Sequence, residues 1–432
     1  MTGTEEKKRL LSNFVSLSVL QGANYLLPLI TFPYLVRVLG VEKFGLLAFV
    51  MATVQYFVIL TEFGFNLSAA RQISIDRDDG AKVSEIFHAV IFSKTLLMMG
   101  GLVLMTILVF SFEKFRADWE IYYLTYGMVL GNVLFPIWFF QGMERMKYIT
   151  YLNIFAKALY VVSIFLFIHA ESDFFLVPLL NSLSFILSGC WALWIVYRDF
   201  GITFLIPPVP LMIKQLQTAW YLFVSRISIS LYTVSTTFVL GLFADNTTVG
   251  YFAAGEKIVR AVQGLMQPVV QTLFPYISKL VSRSEREGML FIRSVTLYVG
   301  AVSLFISFLL YLFAEEIVAL LLGSAYDPSI QVVRMLSLIP FLVSMAAVFA
   351  NLTMIPFARY KAYMRIYIAI GVSSLLFAFV LIPSMQLKGA SLTLLFAESF
   401  GVLLMFFYLY ATRLSIFNAL NGRQIEEKPN AS

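Results

Sequence analysis

The chain alternates long apolar runs with short polar connections. A helix of about 20 apolar residues spans a bilayer core. Runs of about that length fall at 11–36, 44–66, 86–110, 119–141, 149–169, 174–198, 216–243, 251–279, 291–314, 330–355, 365–383 and 389–411. The pattern predicts an all-α polytopic membrane protein with about twelve transmembrane helices. The stretch 315–329, EEIVALLLGSAYDPS, is expected to form a short interfacial helix or loop.

A basic, proline-bearing connection at about 199–215, FGITFLIPPVPLMIKQL, falls at the midpoint. It divides the chain into an N-lobe at 1–200, a linker at 201–215, a C-lobe at 216–411 and a tail at 412–432. RVLGVEKFG at 37–45 joins the first two spans, and FVLGLFADNTTVGY at 238–251 joins the seventh and eighth. Both carry V-L-G, a polar turn, then a glycine opening the next helix. This equivalent placement points to duplicated six-helix halves, a common transporter architecture.

Polar residues inside the runs are sparse but ordered. Glu256, Arg260, Gln263, Gln267 and Gln271 step by four, three, four and four, within a sector of roughly 80° on a helix. Arg226, Ser230, Thr233 and Thr237 share a face of the seventh run. Gln55, Glu62 and Asn66 do so in the second, and Asn13, Gln21, Asn24 and Thr31 in the first. Charge in hydrocarbon costs roughly 3 kcal/mol or more, so such stripes face a bundle interior or a watery cavity. The four striped spans are equivalent helices of the two halves and are expected to line a central cavity.

Composition agrees. Of 432 residues, 60% are hydrophobic and 13% charged, and mean hydropathy is +0.84; soluble domains carry about 25% charged residues. With the N-terminus cytoplasmic, twenty Lys and Arg lie in cytoplasmic segments and five outside. Cytoplasmic loops are the basic ones, which puts both termini inside. The same rule accounts for the pI of 9.1 without nucleic acid. One cysteine, Cys190, excludes an intrachain disulfide. No phosphate loop, metal-spaced His/Cys cluster or Ser/His/Asp set occurs, so neither cofactor nor metal is expected.

Six basic residues lie within spans (Lys94, Lys157, Arg226, Lys257, Arg260 and Arg334) against three acidic ones (Glu62, Glu256 and Glu398). A basic cavity suits an anion, because Arg offers forked hydrogen bonds and Lys a point charge to phosphate. Glu256 and Arg260, four apart, could instead pair with each other. Lys94, Lys157 and Glu398 could form ion pairs between helices.

With TEFGFNLSAARQIS at 61–74, RVLGVEKFG resembles the bacterial O-antigen flippases, in the polysaccharide-transporter branch of the multidrug/oligosaccharidyl-lipid/polysaccharide (MOP) superfamily. The resemblance extends over nearly the whole chain. It implies flipping of an undecaprenyl-diphosphate-linked oligosaccharide from the cytoplasmic to the periplasmic leaflet of the inner membrane. It also implies alternating access of two lobes driven by proton or sodium-ion antiport, beside a polysaccharide polymerase and within membrane lipid. Glu62 and Arg71 match acidic and basic positions of the motif, as gate or ion-pair residues. Arg226, Lys257 and Arg260 are expected to hold the diphosphate, with Lys94, Lys157, Gln263, Gln267, Gln21, Asn24 and Gln55 as further substrate contacts. Glu62, Glu256 and Glu398 are the candidate coupling carboxylates.

Three alternatives stand beside this reading. A multidrug or cation antiporter of the same superfamily would favour an acidic cavity. A polysaccharide polymerase or glycosyltransferase would need catalytic residues on substantial external loops, and the loops here are short. A peptidoglycan-precursor flippase would be favoured by two extra spans.

Overall fold

The computed structural model describes the backbone of residues 3–412 and 414, and side chains from residue 30 onward. It divides into two compact units, Met1–Ser230 with Asp245–Gly250, and Leu231–Ala244 with Tyr251–Ser432.

The first unit runs through α1 (Gly3–Glu62), α2 (Phe65–Asp76), α3 (Gly80–Ser111), α4 (Glu113–Arg116), α5 (Trp119–Leu134), α6 (Ile137–Gly142), α7 (Met146–Phe167), α8 (Leu176–Asp199) and most of α9 (Val209–Thr233). The second holds the end of α9, α10 (Ser235–Phe243), most of α11 (Asn246–Gly264), α12 (Gln267–Arg283) and α13 (Glu285–Leu312). It continues through α14 (Ala314–Leu321), α15 (Pro328–Leu336), α16 (Ile339–Ala347), a π-helical stretch Val348–Met354, and α17 (Tyr360–Ala411).

Among the described residues, eight helices are long and apolar enough to cross a membrane, or nine counting α9–α10 as one span bent by 53°. Two of these are double. α1 is broken at Gly40 and α17 at Gln386 by non-helical backbone. The expected eighth span falls outside the apolar set because of its polar stripe, and is itself broken between α11 and α12. Helix thus covers each of the twelve expected spans, and α14 is the short helix expected at 315–329.

Helix breaks in the first unit follow from sequence. Phe63 and Gly64 both have positive φ, 44° and 80°. Only glycine adopts that conformation without steric cost. A Cβ on Gly64 would also sit 2.7 Å from Leu222 Cβ. Phe63, turned out of register, stacks on Phe223 at 4.2 Å and 13°. The F-G pair of the family-like motif therefore ends one helix, starts α2, and wedges an aromatic ring against α9. Gly45 serves close approach instead: a Cβ there would collide with the Asn246 carbonyl oxygen, and one on Gly250 with the Val41 carbonyl oxygen. The two glycines that open helices in the repeated segments thus meet backbone to backbone.

Outside the spans, loop carboxylates cap helices. Asp79 accepts from the Lys82 backbone N–H at 3.1 Å and Asp245 from that of Thr248 at 2.8 Å. Such caps satisfy N–H groups that the helix leaves open. These bonds hold Asp79 below its ordinary pKa; Asp245 is lowered by the Thr248 hydroxyl first and its N–H second.

Candidate functional site

The second unit contains a cavity of about 330 Å3, at the small end of ligand sites. Its walls are irregular helices. Tyr232 and Thr233 sit at the end of α9, against the bend into α10. Arg260 and Gln263 come from α11, and Gln267 and Gln271 from α12. Ser344 comes from α16 and Asn351 from the π-helical stretch. Tyr367 and Glu398 come from the two halves of α17.

Two local causes account for part of the irregularity. Pro268 and Pro275 have no N–H for the carbonyls of Gly264 and Gln271 four residues earlier, which loosens the helix on both sides of the Leu265–Met266 turn. Thr353 Oγ1 donates to the Val348 carbonyl at 2.9 Å, supporting the wider π spacing. π turns concentrate at functional sites, and this one carries Asn351. Interrupted membrane helices are tolerated where they line a cavity.

Arg260 is the cavity's cation. Its Nε donates to Glu256 Oε1 at 2.7 Å, and Thr237 Oγ1 donates to Glu256 Oε2 at 3.4 Å. The Glu256 side chain is 13% exposed and Arg260 36%. Glu398 interacts electrostatically with the same guanidinium. The one cation is therefore paired with Glu256 and also senses the Glu398 carboxyl. Gln263 Oε1 is buried and, among the described residues, has no hydrogen-bond partner. The rings of Tyr232 and Tyr367 lie 6.2 Å apart at 30°.

The first unit assembles a second polar group. Lys94 of α3 is 2% exposed. Its Nζ donates to the Asn132 carbonyl at 2.8 Å and to Asn132 Oδ1 at 3.2 Å. Asn132 Nδ2 donates to Glu62 Oε1 at 3.2 Å. The cause is Pro136: it lies four residues after Asn132 and cannot donate to that carbonyl. Lys94 supplies the missing donor, and Glu62, the last residue of α1, supplies the counter-charge.

Of the expected site residues, Arg260, Gln263, Gln267 and Glu398 come together in the cavity, with Glu256 attached through Arg260. Glu62 and Lys94 meet through Asn132. Arg226 is exposed on α9 in the first unit, and Lys257 is exposed on α11 away from the cavity lining. Lys157 on α7 and Gln55 on α1 are half-buried, and Arg71 on α2 is exposed. Gln21 and Asn24 lie outside the residues whose side chains are described. The sequence reading missed Tyr232, Tyr367, Asn351 and Asn132. The two asparagines were findable as lone amides within apolar runs, and Asn132 also from its spacing to Pro136.

The architecture is that of a multi-span, all-α membrane protein. A structure titled "Lipid II flippase MurJ, inward closed conformation" matches with TM-score 0.70 at 12% identity, over 95% of this chain and 89% of that one. An inward-facing multidrug resistance MATE family transporter matches with TM-score 0.69 at 13% identity, over 95% of this chain and 100% of that one. At these identities the likeness concerns fold alone.

Sequence relatives are more specific. Residues 10–281 match the polysaccharide biosynthesis protein family. A protein named "Putative O-antigen transporter" from Escherichia coli (strain K12) is 33% identical over 410 residues, 95% of this chain and 99% of its own length. A like-named protein from Shigella dysenteriae is 28% identical, over 91% of this chain and 98% of its own. The chain belongs to the polysaccharide biosynthesis protein family.

Proposed function

We propose that the protein is a transporter, not an enzyme, and flips undecaprenyl-diphosphate-linked oligosaccharide repeat units from the cytoplasmic to the periplasmic leaflet of the bacterial inner membrane. The observation that carries this reading is a polar cavity walled by broken membrane helices, in a chain whose full-length relatives bear the name of O-antigen transporters. A membrane interior with a built polar pocket suits a hydrophilic head group whose lipid tail stays in the bilayer.

In this mechanism the lobes at 1–200 and 216–411, joined by the 201–215 linker, alternate access to the head group. Both termini stay cytoplasmic. The cavity residues Arg260, Gln263, Gln267 and Glu398 contact the head group. Arg226, Lys257 and Lys157, which stand outside that cavity, are the candidates for the diphosphate charge. Glu398, Glu256 and Glu62 are the candidate carriers of a coupling proton or sodium ion. A reconstituted protein whose flipping ignores an imposed ion gradient would remove the coupling step. A surface-polysaccharide polymerase is the expected downstream partner.

Deletion of the gene in its native host tests the function. The expected result is loss of surface polysaccharide, with lipid-linked repeat units accumulating on the cytoplasmic side. Normal surface polysaccharide and no accumulation would contradict it.

One observation favours a second reading, a cation antiporter: Arg260, the one guanidinium lining the cavity among the described residues, is paired with Glu256 and shares the lining with Glu398. Under that reading, purified protein binds a cationic dye, and Glu398→Gln weakens the binding.

A further inference from the structure

We infer that the cavity of the second unit reads the sugar rather than the diphosphate of its substrate, and that it selects uncharged or amine-bearing sugars over acidic ones. This rests on the flippase reading above and concerns which part of the substrate the site recognises.

The first argument is charge. Arg260, the only cation lining the cavity among the described residues, already donates to Glu256 at 2.7 Å and faces Glu398 as well. With Glu256 paired to it, the one positive charge leaves no surplus for an anion. A diphosphate or a uronic acid placed there would meet uncompensated carboxylate charge, and in a partly buried site two like charges several ångströms apart repel strongly. Lys257, which could have changed the balance, does not line the cavity.

The second argument is the donor and acceptor inventory. Gln263 Oε1 is buried and without a donor among the described residues. An unsatisfied buried acceptor is costly, and that cost is relieved when the amide turns to a ligand that donates to it. Glu398 is a second acceptor. Sugar hydroxyls and ammonium groups donate hydrogen bonds; a diphosphate esterified at both ends offers only acceptors at neutral pH. The amides of Gln267, Gln271 and Asn351 can serve both the donor and the acceptor side of a hydroxyl.

The third argument is shape. The Tyr232 and Tyr367 rings give the cavity an aromatic part to its lining, suited to the C–H face of a sugar ring. At about 330 Å3 the volume corresponds to on the order of ten water molecules. That is room for a sugar-sized group, not a whole lipid-linked repeat.

The test uses the purified full chain in lipid nanodiscs, titrated with methyl glycosides of N-acetylglucosamine, glucosamine and glucuronic acid, and with inorganic pyrophosphate as competitor. Expected is binding of the first two, about tenfold or more weaker binding of the acid, and no competition by pyrophosphate. Glu398→Gln should narrow the gap between amine and acid, while Gln263→Leu should weaken all three sugars. Competition by pyrophosphate, tighter binding of the acid than the amine, or no binding of any glycoside by the unaltered protein overturns the inference. The flippase reading fails separately: a deletion host with normal surface polysaccharide removes it even if the sugar series comes out as expected.

Discussion

The two units build polar clusters from the same ingredients and arrive at opposite outcomes. In the first, Lys94, Asn132 and Glu62 form a closed chain. The ammonium donates to a carbonyl that Pro136 leaves open, and the amide passes the contact on to a carboxylate. In the second, Arg260, Glu256 and Glu398 form an open arrangement around a cavity, with an amide oxygen of Gln263 still unpaired. A guanidinium has five N–H donors in a fixed fork, and Glu256 takes the one at Nε. Intramembrane charge in a helical bundle is therefore not one signal. Where the charge is spent on a backbone carbonyl and an amide it joins helices; where an acceptor is left over beside a void it can serve a ligand.

The comparison can be broken most forcefully at Lys94. Lys94→Met leaves the Asn132 carbonyl unpaired and Glu62 without its cation. The expected loss of stability is about 1–3 kcal/mol, or more because the lost donor is charged. Thermal unfolding in detergent should show a lowered midpoint for Lys94→Met and a much smaller change for Arg260→Met, whose side chain is 36% exposed. Equal destabilisation by the two variants would erase the distinction.

A somewhat smaller effect is expected at Gly64. Gly64→Ala forces a Cβ into left-handed backbone, at roughly 1–2 kcal/mol, and against Leu222. It should lower the unfolding midpoint while leaving sugar binding to the folded fraction unchanged, because Gly64 belongs to the other unit. Loss of binding in the folded fraction would show that the units are not separable in this way.

The expected spans and the polar stripe were legible in sequence, because hydropathy and helical spacing are local properties. Arg260, Gln263, Gln267 and Gln271 line a cavity of the second unit, whereas their spacing implied one wall of a central cavity shared by the two halves. The cavity's sign was not legible. An excess of basic residues over all spans says nothing of which ones line a given void, and Lys94 turns inward to a backbone carbonyl. Tyr232 and Tyr367 were invisible among 22 tyrosines, since most membrane-protein tyrosines serve as interfacial anchors. The α11–α12 break had a signal in Pro268 and Pro275, but period counting runs straight through it.

The smallest expected effect lies in the loops. Asp245 caps α11 through Thr248 and titrates below its ordinary value. A carboxylate with a lowered folded pKa contributes stability that is present above its unfolded pKa, near pH 4. That contribution is lost as pH falls through the folded value. Asp245→Asn should flatten this acid limb of the stability profile and leave the neutral region nearly unchanged, as Asn also caps. An unaltered acid limb in the variant would remove Asp245 as its source.

The central claim is that the open cluster of the second unit, and not the closed one of the first, handles the substrate. It is tested most directly by translocation of lipid-linked repeat units into proteoliposomes, normalised to folded protein, for Arg260→Ala beside Lys94→Met. The account predicts a loss of about tenfold or more per folded molecule for Arg260→Ala and near-normal translocation for the folded fraction of Lys94→Met. Normal translocation by Arg260→Ala, with loss confined to Lys94→Met, would contradict it.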